Sequence, residues 1–599
     1  MVGKHRALWR LLAVLLAFSL IAAACGGDDD DAADDGTTEA TDDSDSSSSD
    51  DGASNDDDGA AASDDDGAAA SDDDGAIQTE EEESTEEAVE GGTLRFGLQA
   101  DSDGINPVTS SFSVVGLSMA NAVFDTYAAY DEEGNAVPYL AESFEPSEDL
   151  RSWTMRLRPG ATGQGIEFHD GTFLNAEAVR VNFETVLADP LVGIAVQPFY
   201  PSLEDGAFEI IDDLTVRFNL LDAHARFPAL VTGQLGMAAS PAWIAAALED
   251  PTLNQQPVGT GPFVFDSRSQ DSVTRFVRNE NWWNGRANLD AIEFVPVTDP
   301  DVRVQLLLEG ELDVLNTTNT PSIEVLAETD GVQNLLDDTG EESFIMINSA
   351  SPPFDDIRAR QALTFATPRE TYNTLFGLGI NRLANQQYTP ESRFYNPDVV
   401  QEADMPELAG PLVEAHCAEF PDNCTDGRID MELQYSGPSV VQTRIAELFD
   451  EAWSPFFNVE FQELPEDQHI NETVFGTYDV VTWRQFGAVD PAGDNVWLLC
   501  RTVGPLSLNF PRLCDEERDE LLIEAWATED EDARAGLYQE LQVKLNQDYV
   551  YIFLQHSLWD IALNENVKSL CDRTSPEGVP LRCAINGRTF YDSVFLTDS

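Results

Sequence analysis

Seven cysteines, six histidines and 111 acidic residues are the groups best suited to chemistry in this 599-residue chain. The cysteines divide by position. Cys25 ends an uncharged run, and the other six form three close pairs: Cys417 with Cys424, Cys500 with Cys514, and Cys571 with Cys583. An even set in an exported chain reads as disulfides, and proximity suggests these three pairings. Zinc would need Cys-x-x-Cys or mixed Cys/His ligand spacing, which is absent. His224, His416, His469 and His556 are scattered, and His169 sits in a Phe-His-Asp-Gly turn before a helical pattern, where a turn or capping role is expected over ligation. The chain has no Gly-x-Ser-x-Gly elbow, no phosphate-binding Gly-Lys-Ser/Thr loop and no His-Glu-x-x-His pair. Two acids meeting in a cleft could make a hydrolase, yet no spacing announces such a pair. The expectation is a protein that uses no cofactor or metal and catalyses nothing.

The elements that hold these groups begin after a leader. Lys4, Arg6 and Arg10 precede the apolar run Leu11 to Ala24, and Ala22, Ala23 and Ala24 stand directly before Cys25. The run has 14 residues, whereas a membrane-spanning helix needs about 20, so the sequence predicts a signal peptide over 1–24. The small residues before the cysteine resemble a bacterial lipobox. That resemblance implies lipidation of Cys25 and a cell-membrane location facing the extracytoplasmic side, with Ala22 replacing the usual leucine. Residues 26–90 hold 28 acids and no Lys or Arg, too little apolar surface to offset ordering entropy, so 25–90 is expected to be a disordered acidic tether.

Beyond it, 83 acids and 29 basic residues leave the body near −54, a charge that repels nucleic acid and excludes it as a partner. The remaining 509 residues exceed one ordinary domain and predict at least two lobes. Thr93 to Leu98 alternates like a strand, and Ser113 to Tyr127 and Asn175 to Leu187 read as helices. Strand pairs are expected around Ser152 to Arg158 and at Phe208 to Ile211 with Thr215 to Leu220. A polar break near Asp337 to Glu342 marks one crossing between lobes. A second α/β series follows, with a helix at Ser439 to Ala452, strands at Phe457 to Leu464 and Tyr478 to Thr482, and helices at Asp515 to Ala527 and Glu531 to Leu545. The return crossing is placed near Gln547 to Gln555.

Read in order, several segments resemble the family 5 extracellular solute-binding proteins, a group that includes dipeptide-, oligopeptide- and nickel-binding components of ABC importers. They are GGTLRFGLQADSDGINP from Gly91, IEFHDGTFLNAEAVRVNFE from Ile166, GTGPF from Gly259, LEGELDV from Leu308 and PPFDDIRARQAL from Pro352. The resemblance implies an α/β, two-lobed periplasmic-binding-protein-like fold with a large extra subdomain in lobe 1 and a hinge of two crossings. It assigns 91–341 to lobe 1, 342–553 to lobe 2 and 554–599 to a return into lobe 1. It also implies a monomer that captures a small-molecule or peptide ligand and hands it to membrane-embedded ABC permease subunits. A surface sensor without a permease and, less in keeping with the motifs, a secreted hydrolase are the alternatives.

The same resemblance singles out YDVVTWRQFGAVDP. Trp483 occupies the position of a tryptophan at the cleft edge in peptide-binding relatives, where an aromatic plane covers ligand. Arg484 is a candidate clamp for a carboxylate. The aspartate that pairs with a peptide's free amine in those relatives is replaced by Phe486, and Asp490 with Pro491 follows one residue later than usual. The expected ligand site is therefore Trp483, Arg484, Phe486 and Asp490, without a ready partner for a free amine. Trp282 and Trp283 are expected to pack within the first lobe.

Overall fold

The computed structural model describes residues 88–110 and 112–597. The expected signal peptide, the lipidated Cys25 and nearly all of the acidic tether lie outside the described residues. Among the described residues no helix is long and apolar enough to cross a membrane.

Two seven-stranded sheets organise the body. In the first, Thr93–Leu98 lies between two parallel neighbours, Ala291–Pro296 and Val314–Thr317, with Phe96 opposite Phe294 on one side and Val314 on the other. Its alternation buries Leu94, Phe96 and Leu98. The antiparallel strands Phe263–Ser269 and Val273–Arg278 extend one edge, and Trp559–Asn564 with Val332–Asp337 extend the other. Here the LEGELDV segment gains a physical meaning. Asp313 accepts from the Arg95 side chain at 3.0 and 2.8 Å and from its backbone N–H at 2.8 Å, locking two adjacent parallel strands with charge-assisted bonds.

An antiparallel sheet of Ala141–Pro146, Ser152–Leu157, Thr215–Asn219 and Phe208–Asp212 forms the extra subdomain of this lobe. The helix Ala176–Ala188 packs beside it, started by Asn175, whose side chain accepts from the Ala178 N–H at 3.0 Å. The Phe-His-Asp-Gly turn lies before it and is closed by the Gly171 N–H, which donates to the Phe168 carbonyl at 2.9 Å. His169 Nε2 lies 2.9 Å from the Gly261 carbonyl, and burial lowers its pKa to about 4, so the ring is neutral. It pins the GTGPF segment, where a Cβ on Gly259 or Gly261 would stand 2.3 or 2.6 Å from the Val123 carbonyl oxygen; only glycine permits this approach.

The second sheet runs Arg382–Leu383, Tyr551–His556, Glu342–Ile347, Val480–Gln485, Arg428–Ser436, Cys424–Thr425, with Phe457–Leu464 parallel along Arg428–Ser436. Its helix Ile357–Ala366 is capped by Asp356 from the PPFDDIRARQAL motif, and Val440–Trp453 buries Ile445, Phe449 and Trp453 against the sheet. Each such side chain contributes on the order of 2–3 kcal/mol by leaving water. The helices Glu516–Ala527 and Glu531–Asp548 follow on the way to Tyr551.

The chain passes between sheets twice, at 338–341 and at 557–558. The second crossing falls later than the sequence reading placed it. Tyr551–His556 is buried throughout and pairs with Glu342–Ile347, so the apolar pattern of YIFLQH runs almost unbroken into Trp559–Asn564 and masks the change of sheet. Disulfides join Cys417 to Cys424, Cys500 to Cys514 and Cys571 to Cys583.

Candidate ligand-binding site

Among the described residues, two large spaces lie between the lobes. One is a wide groove of about 1360 Å³, floored by residues just beyond the C-terminal ends of Thr93–Leu98, Ala291–Pro296 and Val314–Thr317 and faced by second-lobe residues such as Tyr372, Arg444 and Gln555. Asp101, Asp103, Arg303, Arg444 and Glu466 give it a charged lining. The other is a compact chamber of about 300 Å³. Its first-lobe wall comes from Tyr127 and Tyr130, the helix Ala176–Ala188, the 195–200 segment and the 229–237 segment. Its second-lobe wall is the stretch from Gly487 to Trp497, and the C-terminal turn Ile585 to Arg588 closes one end. Apolar and aromatic walls with few polar groups are the usual make-up of a site for a small organic ligand.

The chamber side is bridged. Arg501 pairs with Asp222 at 2.5 Å and donates to the Pro198 carbonyl at 3.1 Å. Arg226 pairs with Glu531, and the Ala225 N–H donates to the Trp526 carbonyl at 2.6 Å. Phe199 and His224 both pack on Trp526, with ring centroids 5.1 and 5.3 Å apart. Burial lowers His224 to about 4, so a neutral ring stacks there.

None of the four sequence-predicted site residues lines the chamber; all four brace it or the hinge beside it. Trp483 lies on Val480–Gln485, donates to Gln485 at 3.0 Å and packs edge-on to Phe510 at 5.4 Å. Phe510 in turn meets Trp497, in the chamber wall, at 5.4 Å. Arg484 turns to the hinge, where it reaches Glu341 at 3.3 Å and Thr318 at 3.0 Å and lies over the Trp559 ring at 5.2 Å. Phe486 is buried between Phe344 and Tyr551. Its φ of +70°, followed by +85° at Gly487, is a left-handed turn that a bulky residue adopts only under constraint, and it throws the following loop into the chamber wall.

Asp490 is spent on a brace. Both its oxygens accept from Arg534, one at 3.0 Å, and one also accepts from the Ala492 N–H at 2.9 Å. Arg534 is itself buried, its guanidinium 5.6 and 5.4 Å from the rings of Phe394 and Tyr538. This carboxylate therefore lies behind the wall. Nearby Asp494 accepts from the Ala488 N–H at 3.0 Å, and burial raises it to about 7.

Sequence reasoning missed the aromatic first-lobe wall and Arg588. The signal for Arg588 was the pair Asn586-Gly587, a tight-turn dipeptide. The two residues have φ of +49° and +73°, and Ile585 bridges Arg588 across them. A Cβ on Gly587 would stand 2.2 Å from the Trp559 ring, so the turn is seated on the strand that follows the second crossing. Trp282 and Trp283 stay within the first lobe, both donating to the buried Asp125, at 3.3 and 2.7 Å.

Two α/β lobes joined by two crossings, with a ligand-sized chamber between them, define a two-lobed binding protein. The match of residues 135–505 to the model for bacterial extracellular solute-binding proteins, family 5, places the chain in that family. Among curated relatives, di/tripeptide-binding protein 2 of Pseudomonas aeruginosa is 27% identical over 507 residues, covering 81% of this chain and 93% of that one. Heme-binding protein A of Haemophilus influenzae is 28% identical over 455 residues, covering 72% and 81%. In three dimensions the chain is similar to DppA of Helicobacter pylori in complex with the peptide STSA, with a TM-score of 0.72 at 19% identity over 85% of this chain and 99% of that one. The same TM-score at 20% identity is found with AgaA of A. tumefaciens in complex with agropinic acid, covering 85% and 99%.

Proposed function

We propose that this protein captures a small organic solute, peptide-like in the first instance, in the 300 Å³ chamber and delivers it to the permease of an ABC importer. The observation that carries the reading is that the chamber wall is built from both lobes while the lobes are joined by only two short crossings. Opening at those crossings would part the wall, and a ligand that touches both halves would favour the closed form, whose outer surface a permease can read. The names of the relatives support the ligand class. Peptides recur among them, and the heme-binding relative and the agropinic acid complex keep the class at small organic solutes. The protein binds without transforming its ligand and acts as a monomer. A lipid on Cys25 holds it at the extracytoplasmic face of the membrane, with 1–24 as the removed signal and 25–90 as the tether. Within the two lobes, Trp483, Phe486 and Asp490 serve the ligand through the wall they support, and Arg484 serves it through the hinge.

Native mass spectrometry of the full chain, purified in detergent, tests this. A bound solute is expected, and adding it back after unfolding and refolding should raise the melting temperature. A chain that carries nothing, and that no member of a library of small peptides and organic acids stabilises, would overturn the reading. Cys25→Ser is expected to leave the membrane fraction; retention there after a high-salt wash would exclude the lipid anchor.

A further inference from the structure

The polar groups of the chamber divide into those already committed and those still free. Gln234 donates to the carbonyls of Pro107 and Ser110 at 2.9 and 2.7 Å, and Asn182 donates to those of Ala178 and Ala239 at 2.9 and 2.8 Å. Thr232 and Tyr130 donate to the Ala229 carbonyl at 2.8 and 3.5 Å, and three of the remaining polar side chains matter here. The Tyr127 side chain is buried, and its hydroxyl has no partner among the described residues. Asn586 donates to the Gly487 carbonyl at 3.0 Å, while its Oδ1 is buried without a partner. Arg588 is the single charged side chain in the lining, and among the described residues its guanidinium has neither a hydrogen bond nor an ion pair. Tyr130 and, more weakly, Asp337 act on it through space, and Asp337 already accepts from the Gly587 N–H at 3.1 Å and from the Thr339 N–H. Among the described residues no Asp or Glu lines the chamber, and Asp490 behind the wall is held by Arg534. A half-buried guanidinium with unused donors, in an aromatic chamber with no opposing charge, is an unfilled demand for an anion.

We infer that the chamber selects a carboxylate with an apolar or aromatic body and no free ammonium, such as an N-acylated amino acid or dipeptide, with Arg588 receiving the carboxylate. An amide N–H on the same ligand would meet Asn586 Oδ1, and Tyr127 would donate its hydroxyl. An ammonium, by contrast, would be desolvated near Arg588 with no carboxylate to pair with. This inference rests on the chamber being the ligand site.

The test uses three probes of equal body: N-acetyl-alanyl-phenylalanine, its C-terminal amide, and free alanyl-phenylalanine. Each is titrated calorimetrically into the full chain in detergent and into Arg588→Gln and Arg588→Lys. The acetylated acid should bind at least about tenfold more tightly than the amide or the free dipeptide, the worth of one charge-assisted contact. Arg588→Gln should bring acid and amide within about threefold of each other, and Arg588→Lys should restore part of the preference, since it keeps the charge but loses the fork. The wild-type acid/amide comparison needs no variant, so a misfolded Arg588→Gln does not blunt it. Tighter binding of the free dipeptide, or equal binding of acid and amide to the wild type, overturns the inference while leaving solute capture in place. Binding of none of the probes, by a chain that carries a cationic or uncharged solute through purification, overturns it as well. Binding of none, by a chain that carries nothing, removes the chamber as the site and the inference with it.

Discussion

The chamber and the groove are bounded by the same two lobes, but they are finished differently. The chamber has one charged side chain in its lining and a perimeter of aromatic contacts and ion pairs that tie lobe to lobe. The groove has five charged side chains and more than four times the volume, and the Thr320 hydroxyl crosses it to donate to the Phe376 carbonyl at 2.7 Å. Desolvation explains why only the first suits a small ligand. Apolar walls that meet can exclude water and make each polar contact specific, whereas a charged, open lining stays solvated and discriminates poorly. The hinge cluster of Glu341, Arg484 and Trp559 lies at the crossings that serve both. Movement there is therefore expected to open the chamber by breaking its perimeter, while the groove merely changes width.

The largest effect should come from the brace behind the chamber wall. Removing Arg534 leaves Asp490 buried without its partner, a loss typically of about 3–5 kcal/mol, whereas removing both charges together is far less damaging. Arg534→Met should thus unfold at markedly lower denaturant than the Arg534→Met, Asp490→Leu double variant. If the double variant is the weaker of the two, the pair is not the brace described above.

Next in size is a direct contest between the two spaces. Ala488→Phe places a ring into the chamber, and Val441→Trp places one into the groove. With a co-purified or library solute as probe, the first should weaken binding about 100-fold or more, close to 2.7 kcal/mol, and the second less than about threefold. The reverse pattern would move the ligand to the groove.

How far these features were legible in the sequence differs between the same two regions. Elements with local periodicity or a local cap could be read directly: Phe457–Leu464 was recognisable from alternation, Ala176–Ala188 from Asn175 and its apolar face, and the first crossing from a polar break. The loop after Trp483 was also recognisable as unusual, since Phe486 and the shifted Asp490 depart from the pattern that its family resemblance supplied. The direction of those side chains was not legible. Whether Asp490 faces a ligand or Arg534 depends on a helix 44 residues further on, and no local pattern carries that information. Arg588 was hidden for the same reason, because a turn near the C-terminus reaches the chamber only once Trp559–Asn564 has joined the first sheet.

A third prediction concerns a buried acid on the groove side. Asp560 stands on the strand after the second crossing, opposite Thr317 of the groove, and neither of its oxygens has a partner among the described residues. Burial raises it to about 7. The folded state therefore holds a proton that the unfolded chain has released above about pH 4, and Asp560 removes stability as pH rises from there to about 7. Asp560→Asn should be more stable than the parent at pH 8, by on the order of 2 kcal/mol, with the gain shrinking towards pH 4. Denaturant midpoints across pH 4–8 check this, and a gain independent of pH would show that the carboxyl is not the titrating group.

The smallest expected effect separates the chamber's perimeter from its interior. Arg501 and Asp222 form an ion pair across the lobes with about a quarter of each side chain still exposed, so water and salt screen it. Such a pair is worth about 1 kcal/mol or less, and it acts only while the lobes are together. Asp222→Asn should accordingly leave the unfolding midpoint nearly unchanged but shift the balance between open and closed lobes, weakening solute binding up to about fivefold at low salt. In 1 M salt, where the Debye length is about 3 Å, parent and variant should converge. Arg588→Gln should behave differently, because its effect is expected to follow the ligand's charge: large for a carboxylate and small for the matching amide. If Asp222→Asn discriminates between acid and amide as strongly as Arg588→Gln does, then Asp222 is acting through the field inside the chamber. The division between a perimeter that sets closure and an interior that sets ligand choice would then fail.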